Sequence, residues 1–257
     1  MESKRHAKPL ESARSLVEDP YWDLYFDSVA DLLGPELSRL EAAAIGDLLG
    51  LLPGQRVLDL ACGHGRHAGA LALRVRILVG VDRNAEYLRR AAAARGGGPT
   101  PQLARADLRA LPFPDGTFDA VYSWYASLFM YDDPGNVAAL AELARVLRPG
   151  GRALVHHANP LRLALDPVAT ARRTLWDGSV VEEEATFDPA SGVERARRRL
   201  VRPGGEEVAG TAVLRYYRPD EWGPLARSAG LQVRVVTSTT GADGPEAPDL
   251  IAVLERA

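Results

Sequence analysis

The chain has 257 residues, 46% hydrophobic and 25% charged, with 31 basic against 34 acidic side chains and a net charge of −3. That composition suits a globular protein with a sizeable core, and its charge balance offers no basic surface for nucleic acid or an anionic membrane. Cys62 is the only cysteine, which excludes an intramolecular disulfide, and no run of about 18 apolar residues is present to span a bilayer. The opening stretch MESKRHAKPLESARS is polar and lacks the apolar segment of a secretory signal, so the expected compartment is the cytoplasm. Lys4 and Lys8 are the only lysines, a skew that reads as GC-rich coding.

Apolar residues at three- and four-residue spacing predict amphipathic helices over 20–33 and 35–49, each with a proline near its start. Short apolar strands then alternate with helical segments. Strands are expected at 56–60, 77–82, 102–105, 118–123 and 152–157, with helices near 66–73, 84–95 and 134–147 and a Gly/Pro-rich break at 96–101. Such alternation implies a parallel sheet with right-handed crossovers. After residue 165 the pattern changes to period two, with strands at 179–187, 193–201 and 207–217 separated by the turn sequences DPASG and RPGGE. A helix near 219–229 leads to a last pair of strands, 231–239 and 249–255, joined without a helix and therefore expected to be antiparallel. The expected organisation is an N-terminal helical cap over 1–50, an α/β core over 51–165 and 218–257, and an antiparallel β insert over 166–217. Arg195, Arg197, Arg198 and Arg199 alternate faces on a strand, so they are expected to be solvated rather than to form an anion site.

The chemistry centres on VLDLACGHGRH at 57–67, an apolar strand ending in Asp59 and Leu60, a turn with Gly63 and Gly65, and the start of a helix. Glycines let a backbone approach a ligand closely, and a helix start offers free N–H groups. Residues 63–68 also satisfy G-x-G-x-x-A, so a dinucleotide site is one reading. Three other features stand at fixed places around the turn. Asp82 ends the second strand, where a carboxylate can accept two ribose hydroxyls; Asp107 follows the short third strand; and LRPGG (147–151) leads into the fifth. Asp59, just ahead of the turn, favours an ammonium-bearing ligand over a pyrophosphate.

On CGHGRH, GVDRN, DLRALPF and LRPGG, in that order, the chain resembles the class I S-adenosylmethionine-dependent methyltransferases, in particular bacterial small-molecule enzymes of the CGxGRH type. The resemblance covers roughly residues 20–257, with Ala61 in place of the family's first glycine. It implies a Rossmann-like, seven-stranded, mostly parallel sheet with an antiparallel last pair, N-terminal helices and an insert serving as acceptor lid. It further implies that the Ala61, Cys62, Gly63 and Gly65 backbone holds the methionine end of S-adenosyl-L-methionine, with Asp59 near its amino group. Asp82 would take the ribose hydroxyls, Arg83 would lie beside the adenine, Asp107 would accept from the adenine amino group with Leu108 alongside, and Ser123 would line the methionine site. Trp22 and Tyr25 match a helix that closes over the cofactor in related enzymes.

Methyl transfer needs alignment more than an acid or base, so catalytic candidates are those at carboxyl ends of strands: Tyr125, Ser127 and Tyr131 after the fourth strand, His156 and His157 at the end of the fifth. Adjacent residues on a strand face opposite ways, so one histidine at most is expected in the pocket. Some related amine methyltransferases carry a histidine where this chain has Met130. His6, His64 and His67 lack metal-ligand spacing, and no metal is expected. The expected partner is a small-molecule acceptor taking the methyl on O or N, with no nucleic acid and no membrane, and a monomer or homodimer. A cofactor-binding protein that does not transfer methyl and an NAD-dependent oxidoreductase are the competing readings.

Overall fold

In the computed structural model, residues 16–17, 19–29, 33–94, 101–125 and 128–257 are described; Ser127 and His6 lie outside them, as does the end of the first expected helix at 30–32. In chain order the elements are α1 (Asp19–Val29), α2 (Pro35–Leu49), β1 (Arg56–Leu60), α3 (Ala68–Ala72), β2 (Ile77–Asp82), α4 (Ala85–Ala93), β3 (Gln102–Arg105) and β4 (Phe118–Ser123). There follow α5 (Asp133–Val146), β5 (Leu147–Ala158), α6 (Pro160–Leu163), β6 (Val168–Thr174), β7 (Val180–Asp188), β8 (Val193–Val201), β9 (Glu207–Arg215), α7 (Trp222–Ser228), β10 (Leu231–Thr237) and β11 (Asp249–Arg256).

Seven strands form one sheet in the order β10-β11-β5-β4-β1-β2-β3. β11 runs antiparallel to both β5 and β10, and the remaining pairings are parallel. Strand order reverses between β1 and β4, which places a crevice at their carboxyl ends. Both faces of the sheet are covered, so its central strands are buried throughout. On one face Leu58, Leu60, Val121 and Phe118 pack with Leu140 and Leu143 of α5 and Trp222 of α7; on the other, Val57, Ala120, Tyr122 and Leu154 pack with Ile45 and Leu49 of α2 and Leu71 of α3. Local signals set the helix ends. Asn84 caps α4 by accepting from the Glu86 and Tyr87 amides at 2.8 and 3.3 Å, and α2 stops at Gly50, which takes the left-handed conformation at φ 63°.

The second sheet, β6-β7-β8-β9, is antiparallel. Its β6 was not among the expected strands, because VATARRT has no apolar face and nearly every residue in it is exposed. α1 packs on β8 and β9 of this sheet. The approach is close at Gly210 of β9, where a Cβ would run into the backbone of Tyr21. Just before α1, Val17 bridges to Ala212, the Leu16 amide donates to the Met130 carbonyl at 2.8 Å, and the Leu16 carbonyl accepts from the Val213 amide at 2.9 Å. Leu16 and Val17 are therefore seated between the second sheet and the loop after β4. Among the described residues, no helix is long and apolar enough to cross a membrane.

Candidate active site

The turn after β1 is built by positive backbone angles: Ala61 at φ 62°, Gly63 at 54° and Gly65 at 76°. It lies flat on two neighbours. A Cβ at Gly65 would stand 3.1 Å from the Ala91 Cβ of α4, and one at Gly80 of β2 would stand 2.9 Å from the Cys62 sulfur. The Cys62 amide donates to the Val81 carbonyl at 2.9 Å. Asp82 then fixes the turn from the next strand, one carboxylate oxygen accepting from the Gly63 amide (2.9 Å) and the other from the Asn84 amide (2.8 Å). Burial raises Asp82, and these amides oppose that rise.

Above the turn opens a cavity with an empty volume of about 920 Å³. Asp59, Ala61, Cys62 and Gly63 form its floor; Asp82, Arg83 and Leu108 form one side; Trp22 and Tyr25 from α1 lie over it; and Tyr125 closes the β4 end. All ten were expected at a ligand site. Sequence reasoning did not single out Leu33, Arg66, Asn84, Tyr87 and Trp124, and weighed His64 and His67 only as metal ligands; all of these also line it, together with Met130 and Tyr131. Asp59 is buried, and burial, with Asp82 adding to it, pushes its carboxyl up to about 7 against the opposing influence of Tyr122 and Arg66.

Glu41 of α2 organises the far side. One of its oxygens accepts from Arg66 and from His67 Nε2 (3.0 Å), the other from Trp124 Nε1 (3.2 Å) and the Tyr125 hydroxyl (3.1 Å). Burial works against its ionisation, but the hydrogen bonds from His67 and Arg66 outweigh burial and hold it at about 2. Tyr125 sits in the left-handed region at φ 63°, a strained position for a residue with a Cβ. Glu41 holds its hydroxyl, and His156 Nδ1 accepts its backbone N–H at 3.1 Å. The signal for Glu41 was an acid in the buried stripe of an amphipathic helix, with Ser38, Ala42, Ile45 and Leu49.

Several expected placements are corrected. His157 does not line the cavity: it is fully buried, stacked between Tyr216 and Trp222 at 5.8 and 5.6 Å, with Nδ1 at 2.7 Å from the Ala158 carbonyl. Burial lowers it to about 4, so it is a neutral core residue. His156 also stands off the cavity, stacked on Trp124 at 4.2 Å. Its Nδ1 accepts from Tyr125, which leaves Nε2 to donate to Asp249 at 3.2 Å, so neither nitrogen is free to take a proton from a substrate. The strand order explains both, since β4 stands between β5 and the turn of β1. Ser123 is fully buried below the cavity and is not part of its wall. Gly65 shapes the turn from behind. Asp107 is not among the residues lining the cavity; its carboxylate is taken by Arg109 (2.8 Å) and by the Tyr131 hydroxyl (3.4 Å), and the Arg109 hydrogen bond holds it below the usual carboxylate range.

Arg198 is not solvated either. It shares the inward phase of β8 with Ala196 and Leu200, lies opposite Glu183 of β7 and pairs with it, and is 3% exposed. Its guanidinium stands 5.0 Å from the Tyr21 ring and 4.7 Å from the Tyr25 ring. On the other side of this pair, a second cavity of about 600 Å³ runs between α6 and the second sheet, with Asp166, Glu183 and Glu194 among its lining residues.

Residues 57–151 match a family model described as a methyltransferase domain. The demethylmenaquinone methyltransferase of Beutenbergia cavernae is 39% identical over 132 residues, 51% of this chain and 52% of that protein. The chain spans about half the length of the curated relatives it matches. Among solved structures, the CcbJ methyltransferase from Streptomyces caelestis superposes with a TM-score of 0.73 at 24% identity, covering 86% of this chain and 89% of that one. An amino pentose methyltransferase from Micromonospora echinaspora, solved with SAM bound, superposes with a TM-score of 0.64 at 21% identity, covering 98% of this chain and 100% of that one. The sheet order, the turn after β1 and these likenesses agree: residues 57–151 match a methyltransferase domain, in a chain that has the Rossmann-like fold of the solved methyltransferases on which it superposes.

Proposed function

We propose that this protein is an S-adenosylmethionine-dependent methyltransferase that moves a methyl group in line onto the O or N of a small molecule, acting in the cytoplasm. The observation that carries the reading is the convergence of Asp59, the positive-φ turn and Asp82 on one cavity. The fit to the cofactor is chemical. A buried carboxylate suits its ammonium, the turn that lies flat on Gly80 admits a backbone-hugging ligand, and Asp82 keeps lone pairs for two ribose hydroxyls after meeting Gly63 and Asn84. Leu108 and Met130 supply apolar wall for the adenine, with Arg83 at its edge, and Trp22 and Tyr25 cover the site.

When bound, the cofactor supplies a methyl group on a positively charged sulfur, already a good electrophile. The chain's residues then have three tasks. They align donor and acceptor, exclude water, and receive the acceptor in the form that can attack. Burial pushes the Tyr131 hydroxyl up to about 12 and raises that of Tyr125, so both phenols stay protonated near neutral pH and orient an acceptor by hydrogen bonding. The insert forms the acceptor lid. The neighbour solved with SAM bound is an amino pentose methyltransferase, which supports a small polar acceptor of that kind.

Calorimetry of the purified chain with S-adenosylhomocysteine and with NAD tests the reading. Micromolar binding of the thioether and none of NAD is expected; the reverse would overturn it. Methyl transfer from labelled cofactor to a panel of small amines and alcohols then tests the reaction, and binding without transfer to any of them would leave a cofactor-binding protein.

A further inference from the structure

Arg66 follows the glycine turn and lies in the cavity wall, its side chain 9% exposed. Only one edge of its guanidinium is used. Nη1 reaches the Glu41 carboxylate and, at 3.4 Å, the Ser38 hydroxyl, whereas Nη2 is buried with no hydrogen-bond partner. A charged N–H held out of water without an acceptor is costly, and one placed on a ligand cavity is an acceptor's position in waiting. Asp59 stands near enough for the Arg66 charge to act on its ionisation, yet the ion pair of Arg66 is with Glu41. The cavity thus presents an anion and a cation side by side at one end. The other guanidinium groups around it are engaged elsewhere: Arg83 donates to the Val17 carbonyl at 3.1 Å, and Arg109 is held by Asp107.

A ligand end carrying an ammonium and a carboxylate on one carbon matches this pair of opposite charges. We propose that Arg66 binds the α-carboxylate of the methyl donor through Nη2, opposite the Asp59 carboxylate that meets its ammonium, with Glu41 as the positioning residue that sets the guanidinium edge. The assignment rests on the cofactor reading above. Glu41 suits the role because its four donors come from two loops, Arg66 and His67 after β1 and Trp124 and Tyr125 after β4, which fixes its carboxylate plane.

The test compares S-adenosylhomocysteine with its decarboxylated analogue by calorimetry on folded wild-type, Arg66→Lys, Arg66→Met and Glu41→Gln proteins. In the wild type, loss of the carboxylate is expected to weaken binding at least thirtyfold. Arg66→Met should weaken S-adenosylhomocysteine by a similar factor and the decarboxylated analogue less than threefold; Arg66→Lys should fall between. Glu41→Gln should weaken the carboxylate-bearing ligand about tenfold and its analogue little, a selectivity that a general loosening would not give. Equal losses for both ligands in Arg66→Met would overturn the assignment. Should Arg66→Met not fold, the wild-type ligand pair and Arg66→Lys decide, and less than threefold discrimination by the wild type refutes the proposal. Failure of either ligand to bind the folded wild type would remove the cofactor reading itself, a distinct result.

Discussion

The proposed pairing of Asp59 with the ammonium of the methyl donor makes donor affinity depend on pH in a calculable way. In the empty protein burial pushes its carboxyl up to about 7. The cofactor's ammonium favours the ionised form, so binding holds the proton off and affinity follows the ionised fraction of the free protein. That fraction is roughly ten-elevenths at pH 8 and one-eleventh at pH 6, a tenfold loss of affinity or about 1.4 kcal/mol. The direction for folding is the opposite one. A carboxyl raised by the fold destabilises the empty protein progressively as pH climbs from about 4 to about 7, and the cofactor relieves that cost. Thermal stabilisation by the cofactor should therefore grow with pH. The assay is calorimetry with S-adenosylhomocysteine at pH 6, 7 and 8, referenced to 5′-methylthioadenosine, which lacks the amino-acid end and its titrating groups. Asp59→Asn should bind more weakly at pH 8 and lose the slope. A wild-type affinity unchanged between pH 6 and 8, or the same slope in Asp59→Asn, would refute the reasoning.

Four further outcomes are expected. Asp82→Ala should weaken S-adenosylhomocysteine by more than tenfold, because the carboxylate holds the Gly63 and Asn84 amides and, in the proposed function, the ribose, at about 1.5–3 kcal/mol per charge-assisted bond; Asp82→Asn should lose less, and unchanged calorimetric affinity would exclude the role. His157→Ala should leave cofactor affinity intact and cost about 3 kcal/mol of packing against Tyr216 and Trp222, read as a fall in Tm of roughly 6–12 °C; slowed transfer without a change in Tm would restore it to the catalytic candidates. Arg198→Met should cost about 3 kcal/mol in urea denaturation by stranding Glu183, and adding Glu183→Gln should recover part of that; equal losses in the single and double variants would dismiss the ion pair. Ala61→Gly removes a Cβ from the left-handed region at φ 62° and should raise stability by about 0.5–1 kcal/mol in the same denaturation, with no gain counting against strain at this position.

The fold was largely legible because short apolar runs and helical patterns alternate cleanly from Arg56 to Ala158 and the insert announces itself through period-two strands and the turns DPASG and RPGGE. Asp59, the turn and Asp82 were legible because strand ends and glycines have local signatures. His156 and His157 show what local pattern cannot carry. Alternation allows one of them to face a pocket, but which strands border that pocket depends on strand order, and β5 lies one strand away from β1. Glu41 and Arg66 come from α2 and from the turn after β1, and only tertiary packing brings them together. Arg198 was misread as solvated although its phase with Ala196 and Leu200 points inward; the missing information was Glu183 directly across the ladder.

The seat of α1 on the second sheet has a consequence for anyone re-engineering this protein. Trp22 and Tyr25 reach the cofactor cavity from a helix whose footing is β9 at Gly210 and whose neighbour in β8 is Arg198. Grafting a relative's insert in place of residues 168–215, as a way to alter what is methylated, would remove that footing and with it the cover over the methyl donor. In the proposed function, specificity and donor affinity are therefore inherited together, and a productive graft has to carry α1 along with the sheet that supports it.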